Sequence, residues 1–271
     1  MILKVWEYLR YGHWLSINIS LGAISVLFLI SRVLGESLDW PVYTSLFCAV
    51  WFIYLADHLL DDRESEPYSP RRTFYRRQRL LLLLCLSFCG IFGVLSLLYL
   101  PRELIFAGLA LMLICGLYLR YSKPLGLLGL KEFVIALCYS SGIFLVPLLH
   151  HFSAWVVGMA LVLVLLAFTN LLIFSFFERS EDLREGHPSF VGYYGEDRAS
   201  KLIWVLSFSV LIVSFFGFYL VPSWWKYHVF VLLSSLVYLV LVRSHKYFGN
   251  QERYRWIADG VFFFTLPLAF W

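Results

Sequence analysis

The apolar residues of this chain run in long unbroken stretches separated by short polar islands. They do not alternate as a half-buried strand requires. The stretches cover 13–34, 40–60, 80–100, 103–120, 131–149, 154–177, 200–220, 225–243 and 254–271. Each is near the ~20 residues with which an α-helix crosses a hydrocarbon layer. The pattern therefore predicts nine spanning helices, the third stopped by Pro101. Residues 1–12 read as a short amphipathic lead with Trp6, Tyr8 and Tyr11, aromatics that favour a membrane interface.

Composition sharpens this reading. Of 271 residues, 61% are hydrophobic and 15% charged, with a mean hydropathy of +0.76. Soluble domains are about half apolar and a quarter charged. Lipid admits only helical bundles and closed barrels, and continuous runs select the bundle. The expected fold is an all-α polytopic membrane bundle, one domain over 1–271, bathed in membrane lipid. Cys48, Cys85, Cys89, Cys115 and Cys138 all fall inside apolar runs without metal-ligand spacing, as buried inert thiols do. The first run is long and lacks a clear cleavage site, so it reads as a span and not a signal peptide. A net charge of +4 gives no reason to expect a nucleic-acid partner.

The basic residues orient the bundle. With the N-terminus inside, the inner segments hold 19 of the 22 Lys and Arg residues, leaving Arg32, Arg102 and Lys226 outside. That bias places the N-terminus in the cytoplasm and the C-terminus outside. An integral protein of a bacterial-type inner membrane, with its site facing the cytoplasm, is expected.

Two acidic pairs fall on that inner side. Asp57 and Asp61 close the second apolar run in YLADHLLDD, and Glu178 and Asp182 close the sixth in ERSEDLREGHPSFVGYYG. Residues at i and i+4 share one helix face. A charge in hydrocarbon costs at least ~2.5–3.5 kcal/mol, so acids beside a span need a reason. Capping a helix in headgroup water is one; binding a metal and a polyanion is another. Mg²⁺ takes oxygen ligands and commonly binds through one or two carboxylates plus substrate phosphates. Arg and Lys then complete the cage. If a diphosphate leaves an allylic carbon there, the carbocation needs shelter from water and aromatic faces beside it. The 25 Phe, 17 Tyr and 10 Trp residues can supply those, although most aromatics in such a chain pack helices and form interface belts. Asp259 and Asn18 lie inside spans, where hydrogen bonds between helices are the expected use.

These residues resemble the UbiA superfamily of intramembrane prenyltransferases, as a divergent member. Glu178, Asp182, Gly186, Ser189 and Gly195 are in register with its second aspartate-rich motif, and Asp57 and Asp61 with the later two acids of its first. Tyr121-Ser122-Lys123-Pro124 resembles the cytoplasmic loop after its fourth helix. The chain departs from the family where Ile53-Tyr54 replaces an Asn-Asp pair, where Phe174-Ser175 replaces another, and where Glu178 replaces Asp.

The resemblance implies that Asp57, Asp61, Glu178 and Asp182 hold Mg²⁺ and an isoprenyl diphosphate as the catalytic set. Arg63, Lys123, Lys131 and Arg198 are candidate phosphate contacts, followed by Arg71, Arg72 and Lys201. Tyr54, one turn before Asp57, is a candidate to stack on the cation or the prenyl chain. The implied activity is transfer of the prenyl group to a lipophilic acceptor. A terpene cyclase that needs no separate acceptor is the alternative. A non-catalytic lipid-binding membrane protein on the same scaffold is the third reading.

Overall fold

In a computed structural model the described residues are 11–61, 70–249 and 252–271. They form helices and connecting turns. In chain order these are α1 (Ile17–Val33), α2 (Trp40–Asp61), α3 (Pro70–Arg77), α4 (Arg79–Leu97), α5 (Arg102–Leu127), α6 (Lys131–His150) and α7 (Ala154–Glu185). Then come α8 (Phe190–Tyr194), α9 (Glu196–Leu220), α10 (Trp225–Arg243), α11 (His245–Phe248), α12 (Arg253–Gly260) and α13 (Thr265–Phe270). The fold is a polytopic helical membrane bundle. Among the described residues seven helices are long and apolar enough to cross a membrane. The first apolar run yields the shorter α1, and the last is broken.

That last break has a local cause. Residues Val261–Phe264 tighten into a 3₁₀ turn between α12 and α13. Pro267 follows within one turn and has no N–H to give the carbonyl of Phe263, so a regular helix cannot run through. Two other elements run further than apolarity alone predicts. α7 continues past the apolar run to Glu185, 32 residues in all, and stops at Gly186, whose φ of +69° suits a residue without Cβ. α5 continues through Tyr121-Ser122-Lys123-Pro124, so the expected loop is helix, kinked at Tyr121. A Cβ on Gly126 would lie 2.7 Å from the Pro188 carbonyl oxygen. The end of α5 can therefore lean on the polar island after α7.

The core lies around α1 and α7. α7 packs on α6, α9 and α10, while α1 packs on α2, α6 and α13. Leu163, Leu166, Leu172 and Ile173 of α7 are buried, as are Ala23, Val26, Leu27, Leu29 and Ile30 of α1. At the periphery α4, α5 and α9 turn Leu84, Phe92, Val94, Phe106, Leu113, Phe215 and Tyr219 outward. Such an apolar exterior suits a lipid solvent.

Candidate functional site

The polar ends of four helices meet at one end of the bundle. They are the C-terminal end of α2, the N-terminal turns of α6, the C-terminal end of α7, and α3 with the turn after α7. Between them lies a cavity of about 170 Å³. Asp57, Arg71, Arg72, Lys131, Glu132, Glu178, Asp182 and Ser189 line it. Carboxylates distant in sequence thus share one chamber with cations from α3 and α6.

α7 presents its acids as one face, as the i, i+4 spacing requires. Each meets an arginine. Glu178 is buried, with Arg255 Nη2 2.8 Å from Oε1, Arg71 Nη2 3.0 Å from Oε2, and the Tyr254 hydroxyl donating to Oε1 at 3.3 Å. Arg72 lies 3.8 Å from Asp182 and 2.6 Å from Glu185. The turn after α7 is tied down through its backbone. Phe190 N–H donates to Glu132 Oε1 at 2.7 Å, and Val191 N–H donates to Ser175 Oγ at 3.1 Å. Ser189 caps α8, accepting from Gly192 N–H at 3.3 Å. The first motif is steadied by its neighbour: His58 bonds Ser16 Oγ at 2.8 Å and stacks on Tyr75, with ring centroids 4.5 Å apart.

A second, apolar cavity of about 390 Å³ lies among α2, α4, α5 and α6. Tyr54, Cys138, Tyr139, Tyr118 and Leu145 are on its wall, and among its lining residues there is no acid, base or histidine. Ile135 lines both cavities. The polar chamber therefore borders an apolar one large enough for a small ligand, for which ~300–1,000 Å³ is usual.

The expected site residues divide accordingly. Asp57, Lys131, Glu178 and Asp182 line the polar cavity, and Tyr54 lines the apolar one. α2 runs through Asp61, but its side chain lies outside the described set, as does Arg63 altogether. Lys123 and Arg198 are exposed and line neither cavity. Asn18 and Asp259 pair directly, Nδ2 to Oδ2 at 2.7 Å, and Asn170 joins them at 3.3 Å. Sequence reasoning assigned no role to Glu132 or Arg255. Arg255 carried a usable signal, being a charge in the first turns of an apolar run, where a buried partner is the rule.

A bound Mg²⁺ fits the chemistry of Asp57 and Asp182, hard oxygen donors that line the same cavity. Among the described residues no three acids, histidines or cysteines converge to hold a metal by themselves. Glu178 does not fit, since both of its oxygens already accept from guanidinium or phenol groups.

No model of a known protein family matches the sequence, and no curated protein matches it. Solved structures do. A UbiA homologue from Archaeoglobus fulgidus, bound to GPP and Mg²⁺, matches with a TM-score of 0.65 over 97% of this chain and 100% of its own, at 12% identity. A UbiA homologue from Aeropyrum pernix, in its apo form, gives 0.65 over 91% and 96% at 13% identity. The chain has the UbiA fold. A digeranylgeranylglyceryl phosphate synthase shares that fold with a TM-score of 0.56 over 97% of this chain and 96% of its own, at 16% identity. The polar cavity is lined by Asp57 of the first acidic motif and by Glu178 and Asp182 of the second.

Proposed function

We propose that this chain is a Mg²⁺-dependent intramembrane prenyltransferase that ionises an isoprenyl diphosphate and passes the prenyl group to a lipophilic acceptor. The observation that carries the reading is the pair of adjoining cavities. One is charged and one apolar, with Ile135 between them, as an anionic head on a greasy tail requires. The structural neighbour that binds GPP and Mg²⁺ supports the same assignment.

In this reading the diphosphate lies in the chamber of Asp57, Arg71, Lys131 and Asp182, with Tyr54 and Tyr139 along the tail. Mg²⁺, held by Asp57, Asp61 and Asp182, would supply positive charge to the leaving group. The allylic C–O bond breaks and its electron pair leaves with the diphosphate. Arg71 and Lys131 donate to its oxygens, and such charge-assisted bonds are the strong ones. The tyrosine faces shield the cation from water until the acceptor's electron pair forms the new bond and its proton is lost. The site would open to the cytoplasm, in line with the basic bias of the inner segments.

One observation favours the acceptor-free alternative. Among the lining residues of the apolar cavity no acid, base or histidine is present to deprotonate an acceptor. A cation there could instead be captured by an alkene of its own chain, the cyclised cation then losing a proton to the released diphosphate. The purified protein would be incubated with geranyl, farnesyl or geranylgeranyl diphosphate and Mg²⁺, with and without a membrane lipid extract. Diphosphate release that needs the extract and yields a prenylated lipid supports the transferase. A cyclic terpene formed without it selects the cyclase. Recovery of unchanged substrate under both conditions overturns both and leaves lipid binding.

A further inference from the structure

The inference rests on the prenyl-diphosphate reading and concerns how that head is held. Glu178 opens the second acidic motif, where the resemblance makes it a metal ligand. Its surroundings say otherwise. Arg255 bonds Oε1 from α12 and is itself 3% exposed, with its guanidinium 5.7 Å from the Phe174 ring centre and 5.4 Å from that of Tyr254. Neither Arg255 nor Tyr254 lines the polar cavity, so this contact is made behind Glu178. Arg71 bonds Oε2 and does line the cavity.

Two guanidinium groups bond the two oxygens of Glu178, and a carboxylate so occupied is a poor ligand for a divalent cation; Arg255 meets Glu252 as well, at 3.6 Å. The neighbouring acids Asp182 and Glu185 share Arg72. Three acids of α7 thus meet three arginines before any metal arrives. Arg71 retains a donor, since its Nε is buried and without a hydrogen-bond partner.

We propose that Glu178 is not a metal ligand but the anchor of an arginine clamp. Arg255 fixes the carboxylate from behind, the carboxylate fixes Arg71, and the spare donor edge of Arg71 takes a phosphate oxygen. The diphosphate is then held by guanidinium on the α7 side and through a single divalent ion on the Asp57 side. Glu178 is a positioning residue in this scheme, and Arg71 is the group that touches the substrate.

The test uses the full chain in lipid nanodiscs, a geranyl thiolodiphosphate that does not ionise, and Mn²⁺ in place of Mg²⁺. Bound Mn²⁺ is counted by electron paramagnetic resonance and analogue affinity is read by calorimetry. The wild type is expected to take up one Mn²⁺ per bound analogue. Glu178→Gln should keep that count and weaken the analogue about tenfold or more, the loss of one charge-assisted bond. Arg71→Gln leaves the Arg255–Glu178 contact in place, so it serves if Glu178→Gln does not fold. It should lose affinity equally and keep its Mn²⁺. Two Mn²⁺ in the wild type, falling to one in Glu178→Gln, overturns the clamp and leaves the prenyl-diphosphate reading standing. Analogue affinity unchanged in Arg71→Gln also overturns it. A wild type that binds no analogue at any Mn²⁺ concentration overturns both.

Discussion

The two walls of the polar cavity are built from different neighbours. On the α7 side each acid meets arginine: Glu178 bonds Arg71 and Arg255, Glu185 bonds Arg72, and Asp182 lies 3.8 Å from Arg72. Behind them the bundle is dense, and Asp259, Asn18 and Asn170 are knit together in its interior. On the α2 side Asp57 lines the chamber from the end of a helix that also walls the 390 Å³ apolar cavity. Acids on the two sides of the chamber are therefore set among different neighbours, Glu178 among guanidinium groups and Asp57 on the helix that borders the apolar cavity.

Breaking each wall in turn tests that difference. The largest expected effect on turnover is at the α2 wall. Asp57→Asn should lower prenyl-diphosphate turnover by about a hundredfold or more, the usual scale for disturbing a metal's protein partners, with little change in thermal midpoint. Removing Mg²⁺ with a chelator should reproduce it, measured as released diphosphate. Arg255→Met makes the opposite exchange. It leaves Glu178 with Arg71 and Tyr254 as partners, and losing one charged partner of a buried carboxylate costs up to about 3–5 kcal/mol. The thermal midpoint in detergent should fall sharply. Glu178→Gln should cost less in the Arg255→Met background than in the wild type, because its Arg255 contact is already gone. Equal costs in both backgrounds would show that the pair does not act as one unit.

Much of this plan was legible in the sequence, and the limits are physical. Spans could be read because lipid enforces continuous apolarity, and the α7 face because i, i+4 spacing survives any packing. The end of α7 could not be read from hydropathy, since a helix leaving lipid keeps its backbone bonds; Gly186 marks it instead. Arg255 was counted as a topological charge, and its partner Glu178 lies in a different element. No local pattern links them. Lys123 and Arg198 show the converse, for motif proximity placed them at the site while the fold leaves them exposed and off both cavity walls. Lys131, one helix later than Lys123, lines the chamber. Lys131→Ala should raise the KM for prenyl diphosphate about tenfold, and Lys123→Ala should leave it nearly unchanged.

The looseness of the α2 side can be tested from its far end. Ile135 and Leu145 both line the apolar cavity on α6, and ten residues of helix span about 15 Å. Leu145→Trp should fill the end remote from the diphosphate. Selectivity should then shift toward shorter donors, by about tenfold in the geranyl-to-geranylgeranyl ratio of kcat/KM, the scale of losing room for one or two methylenes. An unchanged ratio would place the tail outside this cavity.

The smallest effect is expected where the dense wall is densest. Asn18 donates to Asp259 across two helices, and Asn170 donates to the other oxygen of the same carboxylate. His13 approaches it as well, at 3.3 Å. With three partners present, removing one leaves the carboxylate solvated by the rest. Hydrogen bonds between membrane helices are worth about 0.6 kcal/mol on average and about 1–2 in model peptides. Asn18→Leu should therefore cost no more than about 1–2 kcal/mol and leave turnover close to wild type. A turnover loss comparable to that of Asp57→Asn would mean that Asp259 belongs to the reacting site, and that the division between frame and chemistry runs elsewhere in the bundle.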